Sequence, residues 1–258
     1  MKQFNMPGEL KKFVIITLPR SGSTVLVKTL DRHPQVFCAG ELFYFPGKIY
    51  HTECQFPFWK IKTFSNKINY LINFPNVLFR LGYFMKNFYN HQNPGYKAVG
   101  FKMMYQHILY MPGIMNYLKR NKIKVILLTR ENLLRNVLSD MKARETGVYH
   151  NEPGSGKIAG KKLHVDLELL SEKMKETGKW AKKLEAVSVG MDTLKIDYAD
   201  FTNWEELTDK IFDFLEVSRE KIPPAAQKLN PPALENMIDN FEEVKQWAFA
   251  NGYSENIS

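Results

Sequence analysis

FVIITLPRSGSTVLVKTL spans Phe13 to Leu30 and changes character twice along its length. Phe13 to Ile16 is apolar, β-branched and aromatic, the composition of a buried strand. Pro19 to Thr24 (PRSGST) is a small, polar turn, and from Val25 to Leu30 the pattern becomes helical. A strand, a small-residue loop and a helix in that order make an anion cradle. Backbone N–H groups at the helix start point at the ligand, and the helix dipole favours negative charge there. A phosphate or sulfate group is the expected occupant. The plain alternative is an ordinary strand–turn–helix with Gly22 and the serines as turn formers.

A Walker A loop, G-x-x-x-x-G-K-[ST], sends a lysine to the terminal phosphates. Here Gly22 is followed by Ser23 and Thr24, and the cation precedes the glycine as Arg20. A short loop with an early cation and a hydroxyl cluster is therefore a different kind of anion site.

At 258 residues, 44% hydrophobic and 24% charged, the chain can bury a full core and reads as a single α/β domain, 1–258. Its net charge of +9 implies an acidic partner, whether nucleic acid, anionic lipid or a polyanionic cofactor. Nucleic acid is disfavoured, because neither an RNA-motif aromatic signature nor a helix-turn-helix pattern is present. Cys38 and Cys54 lack CxxC or Cys/His ligand spacing, which argues against a disulfide framework and a structural zinc site. MKQFNMPGELKK at the start lacks the apolar core of a signal peptide, and no apolar run approaches a membrane span. A cytoplasmic location without a membrane span is expected. No signal for an oligomeric state is present.

Gln35 to Cys38 reads as a short second strand leading into Ala39-Gly40-Glu41. The aromatic-rich segment 42–95 is expected to form one or two helices interrupted at Pro75 and Gly82, either shaping an acceptor pocket or simply packing. Tyr96 to Met104 reads as a strand, Pro112 to Asn121 as a helix, and Lys124 to Thr129 as a doubly buried parallel strand. A helix over Leu133 to Arg144 precedes a glycine- and lysine-rich stretch, 150–162, expected to be a mobile loop. Asp166 to Glu185 reads as a charged helix, Thr193 to Ile196 as the last strand, and Trp204 to Leu215 as a helix. A proline-punctuated loop and an amphipathic helix close the chain. Strands alternating with helices predict a three-layer, P-loop-like α/β fold with a mostly parallel central sheet flanked by helices.

Arg130 stands where a buried parallel strand ends, the edge at which such sheets bind ligands. In TRENLLRNVLSDMKAR, Arg135 and Ser139 lie four residues apart on one helical face. These features together resemble the sulfotransferases that use 3′-phosphoadenosine 5′-phosphosulfate (PAPS). That family carries P-[KR]-[ST]-G-[ST]-[ST] after its first strand, matched by Pro19, Arg20, Ser21, Gly22, Ser23 and Thr24. It carries a second signature of a strand-end Arg and a helical Ser, matched by Arg130 and Ser139. The resemblance implies that the first group holds the 5′-phosphosulfate and the second the 3′-phosphate, where a planar guanidinium suits paired phosphate oxygens. Ser139 comes one residue later than in the cytosolic branch, and RENLLR, GFKMM and KLNPPALENMIDNFEEV look instead like the carbohydrate branch, typified by nodulation-factor sulfotransferases. KIDYADF occupies the place of the Y-E-D-L element, which implies Tyr198 near the adenine. The C-terminal ending adds Lys228 to the candidates for cofactor binding. Arg135 is either a further contact or a solvated cation.

The resemblance implies sulfuryl transfer to a hydroxyl of a carbohydrate or other small-molecule acceptor. Such an in-line displacement needs positioning, charge stabilisation and a base for the acceptor proton. Cationic side chains can serve in place of magnesium, and no metal is expected. Glu41, in FCAGELF, occupies the place of the carbohydrate branch's catalytic glutamate; the alternative is a glutamate capping a turn. His107, after GFKMMYQ, is the rival base, ahead of His33. Lys102 on a predicted strand either faces the ligand, neutralising the transferring group together with Arg20, or extends to the sheet edge. Two further classes fit parts of the pattern: a P-loop-like nucleotide kinase or NTPase, and a non-catalytic anion-binding module. The missing P-loop lysine and Walker B acid count against the kinase.

Overall fold

Five strands, β1 (Lys11–Thr17), β2 (Val36–Glu41), β3 (Ala98–Met104), β4 (Lys124–Thr129) and β5 (Thr193–Asp197), pair in parallel in the order β2-β3-β1-β4-β5. The computed structural model describes residues 9–43, 67–90, 95–111, 113–147, 162–225 and 233–257. Around the sheet lie α1 (Ser23–Leu30), α2 (Lys67–Asn90), α3 (Tyr105–Tyr110), α4 (Ile114–Arg120) and α5 (Leu133–Thr146). They are followed by α6 (Leu167–Val187), α7 (Trp204–Leu215), α8 (Leu234–Met237) and α9 (Phe241–Ala250). This is the parallel, helix-flanked sheet that the alternation of elements predicted.

Alternation along the strands sorts the core into two layers. Val14, Ile16, Val99, Phe101, Val125 and Leu127 face one side, against Leu81 and Met85 of α2, Leu118 of α4 and Leu184 of α6. Phe13, Ile15, Ala98, Ile126 and Leu128 face the other, against Leu26 and Leu30 of α1 and Ile211 and Phe212 of α7. Gly100 sits opposite Phe13, and a Cβ there would lie 2.5 Å from the Phe13 ring. Only glycine allows that aromatic ring to lie flat on the neighbouring strand. A satellite cluster joins Leu134 and Leu138 of α5 to Leu170 of α6 and Val244 of α9.

The strand order places the site. The chain leaves β1 toward β2 on one side of the sheet and leaves β4 toward β5 on the other. The two connections diverge between adjacent strands, which opens a crevice at their carboxyl ends.

Four details differ from the sequence expectation. β2 continues to Glu41, so that residue ends a strand instead of following one. The segment expected to break at Pro75 and Gly82 holds one helix, α2, that neither residue ends. Proline in a helix interior costs about 3 kcal/mol. Burial of Leu81, Met85, Phe88 and Tyr89 on the helix's second half offsets it, at roughly 1.5–3 kcal/mol per large apolar side chain. The helix expected from Pro112 starts at Ile114, and a short α3 that periodicity did not reveal precedes it. His107 therefore lies in a helix turn and not at a strand end. Most of the 42–66 stretch, and all of the loop expected at 150–162 except Lys162, lie outside the described residues.

Candidate active site

β1 delivers the chain into the PRSGST loop with Thr17 fully buried. The Thr17 and Ser21 hydroxyls are hydrogen-bonded to one another. Thr17 Oγ1 also reaches the Leu128 carbonyl of β4 at 2.9 Å, and Ser21 Oγ donates to the Leu18 carbonyl at 2.8 Å. The Ser21 hydroxyl thus holds the turn, and any anion contact from Ser21 falls to its backbone N–H. Arg20 takes φ 62 and Gly22 φ 83, two departures into left-handed space on either side of Ser21. For Arg20 this is strain of about 1–2 kcal/mol, of a kind that collects at functional sites. Gly22 also lies beneath an aromatic ring: a Cβ would come 2.7 Å from Tyr198. Ser23, buried, opens α1, and Thr24 follows half-buried.

The second wall comes from β4 and α5. Arg130 Nη1 donates to the Arg20 carbonyl at 2.7 Å, and Asn136 Nδ2 donates to the Pro19 carbonyl at 2.8 Å. Arg20 Nε donates to Ser139 Oγ at 3.1 Å. The structure thereby joins the two segments that the sequence kept more than a hundred residues apart. The Arg130 guanidinium lies over the Tyr198 ring, 4.6 Å from its centroid, a cation–π contact. Burial first, and the neighbouring Arg135 and Arg20 charges next among the lowering causes, push the Arg130 pKa below its ordinary value; Tyr198 pulls it upward. Three guanidiniums gathered at one edge form a site whose natural complement is a multiply charged anion.

The third group stands at the β2–β3 end of the same edge. Lys102, only 6% exposed, forms an ion pair with Glu41 Oε1 at 2.8 Å, and Glu41 Oε2 lies 3.4 Å from His107 Nε2. A register shift brings this about. Ala39 pairs with Phe101 and Glu41 with Lys102, leaving Gly40 as the extra residue. A bulge of this kind re-aims the side chain that follows it. His107 Nδ1 accepts from the Met104 N–H at 3.3 Å, so the imidazole proton sits on Nε2, facing the carboxylate. Burial above all, with Lys102 adding, pushes the His107 pKa down to about 4 against the pull of Glu41. His107 is a neutral donor at pH 7.

That shift has a consequence for stability. The unfolded chain protonates this histidine near its ordinary value, about 6.5, while the folded chain resists to about 4. The unfolded state therefore binds more protons across that window, and stability falls as pH falls through it. We expect His107 to account for a loss of roughly 2 kcal/mol between about pH 7 and pH 4.5. Urea unfolding of wild type and His107→Gln at both pH values checks this. The variant should lose markedly less stability on acidification, and equal losses would contradict the assignment.

His33 is a structural residue. It is 1% exposed, its Nε2 meets the Ser218 carbonyl at 2.9 Å and its Nδ1 accepts the Gln35 N–H at 3.0 Å. Arg135 is half-buried on α5 beside Arg130. Lys228 lies outside the described residues. Two participants were not singled out from sequence, Asn136 and Asp197. Asn136 gave a faint signal, a polar residue buried in an apolar helix face; Asp197 gave none beyond its place at a strand end. Among the described residues no cluster of three or more His, Cys, Asp or Glu could hold a metal ion. No described helix is long and apolar enough to cross a membrane.

A model of the sulfotransferase family matches residues 13–221, from Phe13 in β1 to beyond α7. The chain belongs to the sulfotransferase family. It is an enzyme of that class, built on the family's parallel sheet. A sulfotransferase from Alicyclobacillus acidocaldarius superimposes with a TM-score of 0.51 at 15% identity, over 96% of this chain and 94% of that one. The sulfotransferase domain from the curacin biosynthetic pathway gives 0.47 at 16% identity, over 83% of this chain and 76% of that one. A mouse sulfotransferase complexed with PAP gives 0.44 at 12% identity, over 82% of this chain and 60% of that one. No curated protein matches the sequence significantly.

Proposed function

We propose that this sulfotransferase takes its sulfuryl group from PAPS, without a metal, and passes it to a hydroxyl of a carbohydrate acceptor in the cytoplasm. The observation that carries the reading is the order of groups along the carboxyl edge of the sheet. Following β2-β3-β1-β4-β5, that edge presents Glu41, Lys102, the PRSGST loop, Arg130 and Tyr198. Strands lie about 4.8 Å apart, so the row covers roughly 19 Å. A carboxylate stands at one end, cations and a helix start in the middle, and an arginine–aromatic pair at the other. An adenosine bearing anions on both its 3′ and 5′ positions suits that sequence of chemistries.

The residues fit PAPS on this structure's own terms. Gly22 leaves room for the Tyr198 ring, and Arg130, Arg20 and Arg135 crowd together with a repulsion that an anion would relieve. The backbone of Pro19 to Thr24 would hold the 5′ end, Arg130 and Ser139 the 3′-phosphate, and Tyr198 would stand beside the adenine; Lys228 is a further candidate. When bound, PAPS supplies the sulfuryl group and the leaving phosphate. Glu41 accepts the proton of the acceptor hydroxyl, and the His107 Nε2–H holds the carboxylate in place. His107 itself is not the base, because its Nδ1 is engaged by the Met104 N–H. Lys102 offers three donors, of which the Glu41 pair uses one, and it stands with Arg20 as a cation for the transferring group. The Glu41 position and the RENLLR form favour the carbohydrate branch.

Incubating the protein with PAPS and excess EDTA against a panel of sugars, oligosaccharides, phenols and alkyl alcohols tests the reading. Mass spectrometry should find sulfated carbohydrate. Sulfated phenols with untouched sugars would contradict the acceptor class, and a requirement for magnesium would contradict the metal-free scheme.

A further inference from the structure

Asp197 ends β5 and its carboxylate binds three partners, two at the end of β4 and one in the turn that follows β5. Oδ1 accepts the Ala199 N–H at 2.9 Å, the cap of the 3₁₀ turn Tyr198–Asn203. Oδ2 accepts from the Glu131 N–H at 2.9 Å and from Thr129 Oγ1 at 3.0 Å, a hydroxyl whose one proton also has the Ile196 carbonyl within reach at 3.2 Å. Asp200 Oδ2 completes the turn by accepting the Asp197 N–H at 2.8 Å. A cap needs only the Oδ1 contact. The Oδ2 contacts reach across to β4 and grip the residues on either side of Arg130.

The same carboxylate therefore fixes both members of the arginine–aromatic pair. Through Thr129 and Glu131 it sets the backbone from which Arg130 extends, and through Ala199 it sets the turn carrying Tyr198. The guanidinium stacks on that ring and donates to the Arg20 carbonyl. Its aim depends on both strands holding their relative position. We infer that Asp197 is a positioning residue for recognition of the nucleotide's 3′-phosphate, acting through Arg130. The inference rests on the PAPS reading above and goes beyond it by naming what holds the selective arginine in place. Hydrogen bonds to an ionised carboxylate are stronger than neutral ones, and here they tie the half-buried Thr129 and the exposed Glu131 N–H to one group.

The test separates aim from fold. Asp197→Asn can keep the Ala199 cap with its carbonyl oxygen but turns an NH2 toward the Glu131 N–H, so that bond is lost while the turn survives; Thr129 can accept from the amide by donating to the Ile196 carbonyl instead. Thr129→Val removes the hydroxyl's cross-strand contacts, to Asp197 and to the Ile196 carbonyl, without changing Asp197, and Thr129→Ser restores them. Calorimetry in EDTA would compare adenosine 3′,5′-bisphosphate (PAP) with adenosine 5′-monophosphate, which lacks the 3′-phosphate. Wild type should prefer the bisphosphate. Asp197→Asn and Thr129→Val should each weaken the bisphosphate about tenfold, the size expected for one lost hydrogen bond to a charged group. The monophosphate should stay within about twofold, and Thr129→Ser should behave as wild type. Equal losses for both nucleotides would make Asp197 merely structural and overturn the inference, as would variants that keep the full preference. A wild type with no preference overturns the PAPS reading, and the inference with it.

Discussion

Replacing Glu41 by Gln is expected to lower kcat about a thousandfold while leaving PAP affinity within about twofold. General base catalysis contributes of the order of 10²–10⁴ in rate, and an amide cannot accept the acceptor's proton. The substituted amide still offers an oxygen to Lys102, so the buried ammonium keeps a partner and the end of β2 keeps its place. The amide's NH2 faces the His107 proton, and a modest drop in melting temperature should accompany the change. Single-turnover kinetics with PAPS, alongside calorimetry with PAP, measure the two quantities separately. A collapse of PAP binding together with turnover would show that Glu41 holds the site together and is not the base.

Arg130→Ala should act on the opposite quantity. Arg130 is buried, is crowded by Arg20 and Arg135, and is positioned by Tyr198 and the Arg20 carbonyl. Removing a bidentate, charge-assisted phosphate contact of this kind costs about 3 kcal/mol, or roughly a hundredfold in Kd for PAP. Arg130→Lys should recover little of it. A lysine ammonium has neither the planar fork for paired phosphate oxygens nor the flat face for the Tyr198 ring. Calorimetric titration of both variants checks this, and wild-type affinity in either one would remove Arg130 from the phosphate site.

What the sequence made legible was local. Strand, PRSGST and helix are contiguous, and their identities alone imply the turn, the buried strand and the anion-binding helix start. Arg130 was equally readable, because a continuous apolar strand ending in a cation announces a sheet edge. The pairing of Arg20 with Ser139 and of Arg130 with the Arg20 carbonyl was not readable as contact, since it depends on β1 and β4 being neighbours. Glu41 was singled out by its place in the chain, yet the bulge at Gly40 that turns it to Lys102 has no sequence mark beyond a glycine. His107 was assigned to a strand end because α3 is too short to show a helical period. Its neutrality follows from burial and the Met104 N–H, neither visible in sequence. Pro75 misled for the opposite reason: a local penalty of a few kcal/mol was outweighed by tertiary packing of the same helix.

The central claim is that the edge running from PRSGST to Tyr198 holds a doubly phosphorylated adenylate through cationic side chains and backbone donors alone. Thermal unfolding with added nucleotide tests it most directly. With EDTA present, PAP at about a hundred times its Kd should stabilise the protein by about 2.7 kcal/mol, a rise of roughly 5–10 °C for a domain of this size. ATP with magnesium at the same concentration should do much less. The reverse ranking, with magnesium-ATP stabilising strongly and PAP leaving the melting temperature unmoved, would contradict the account.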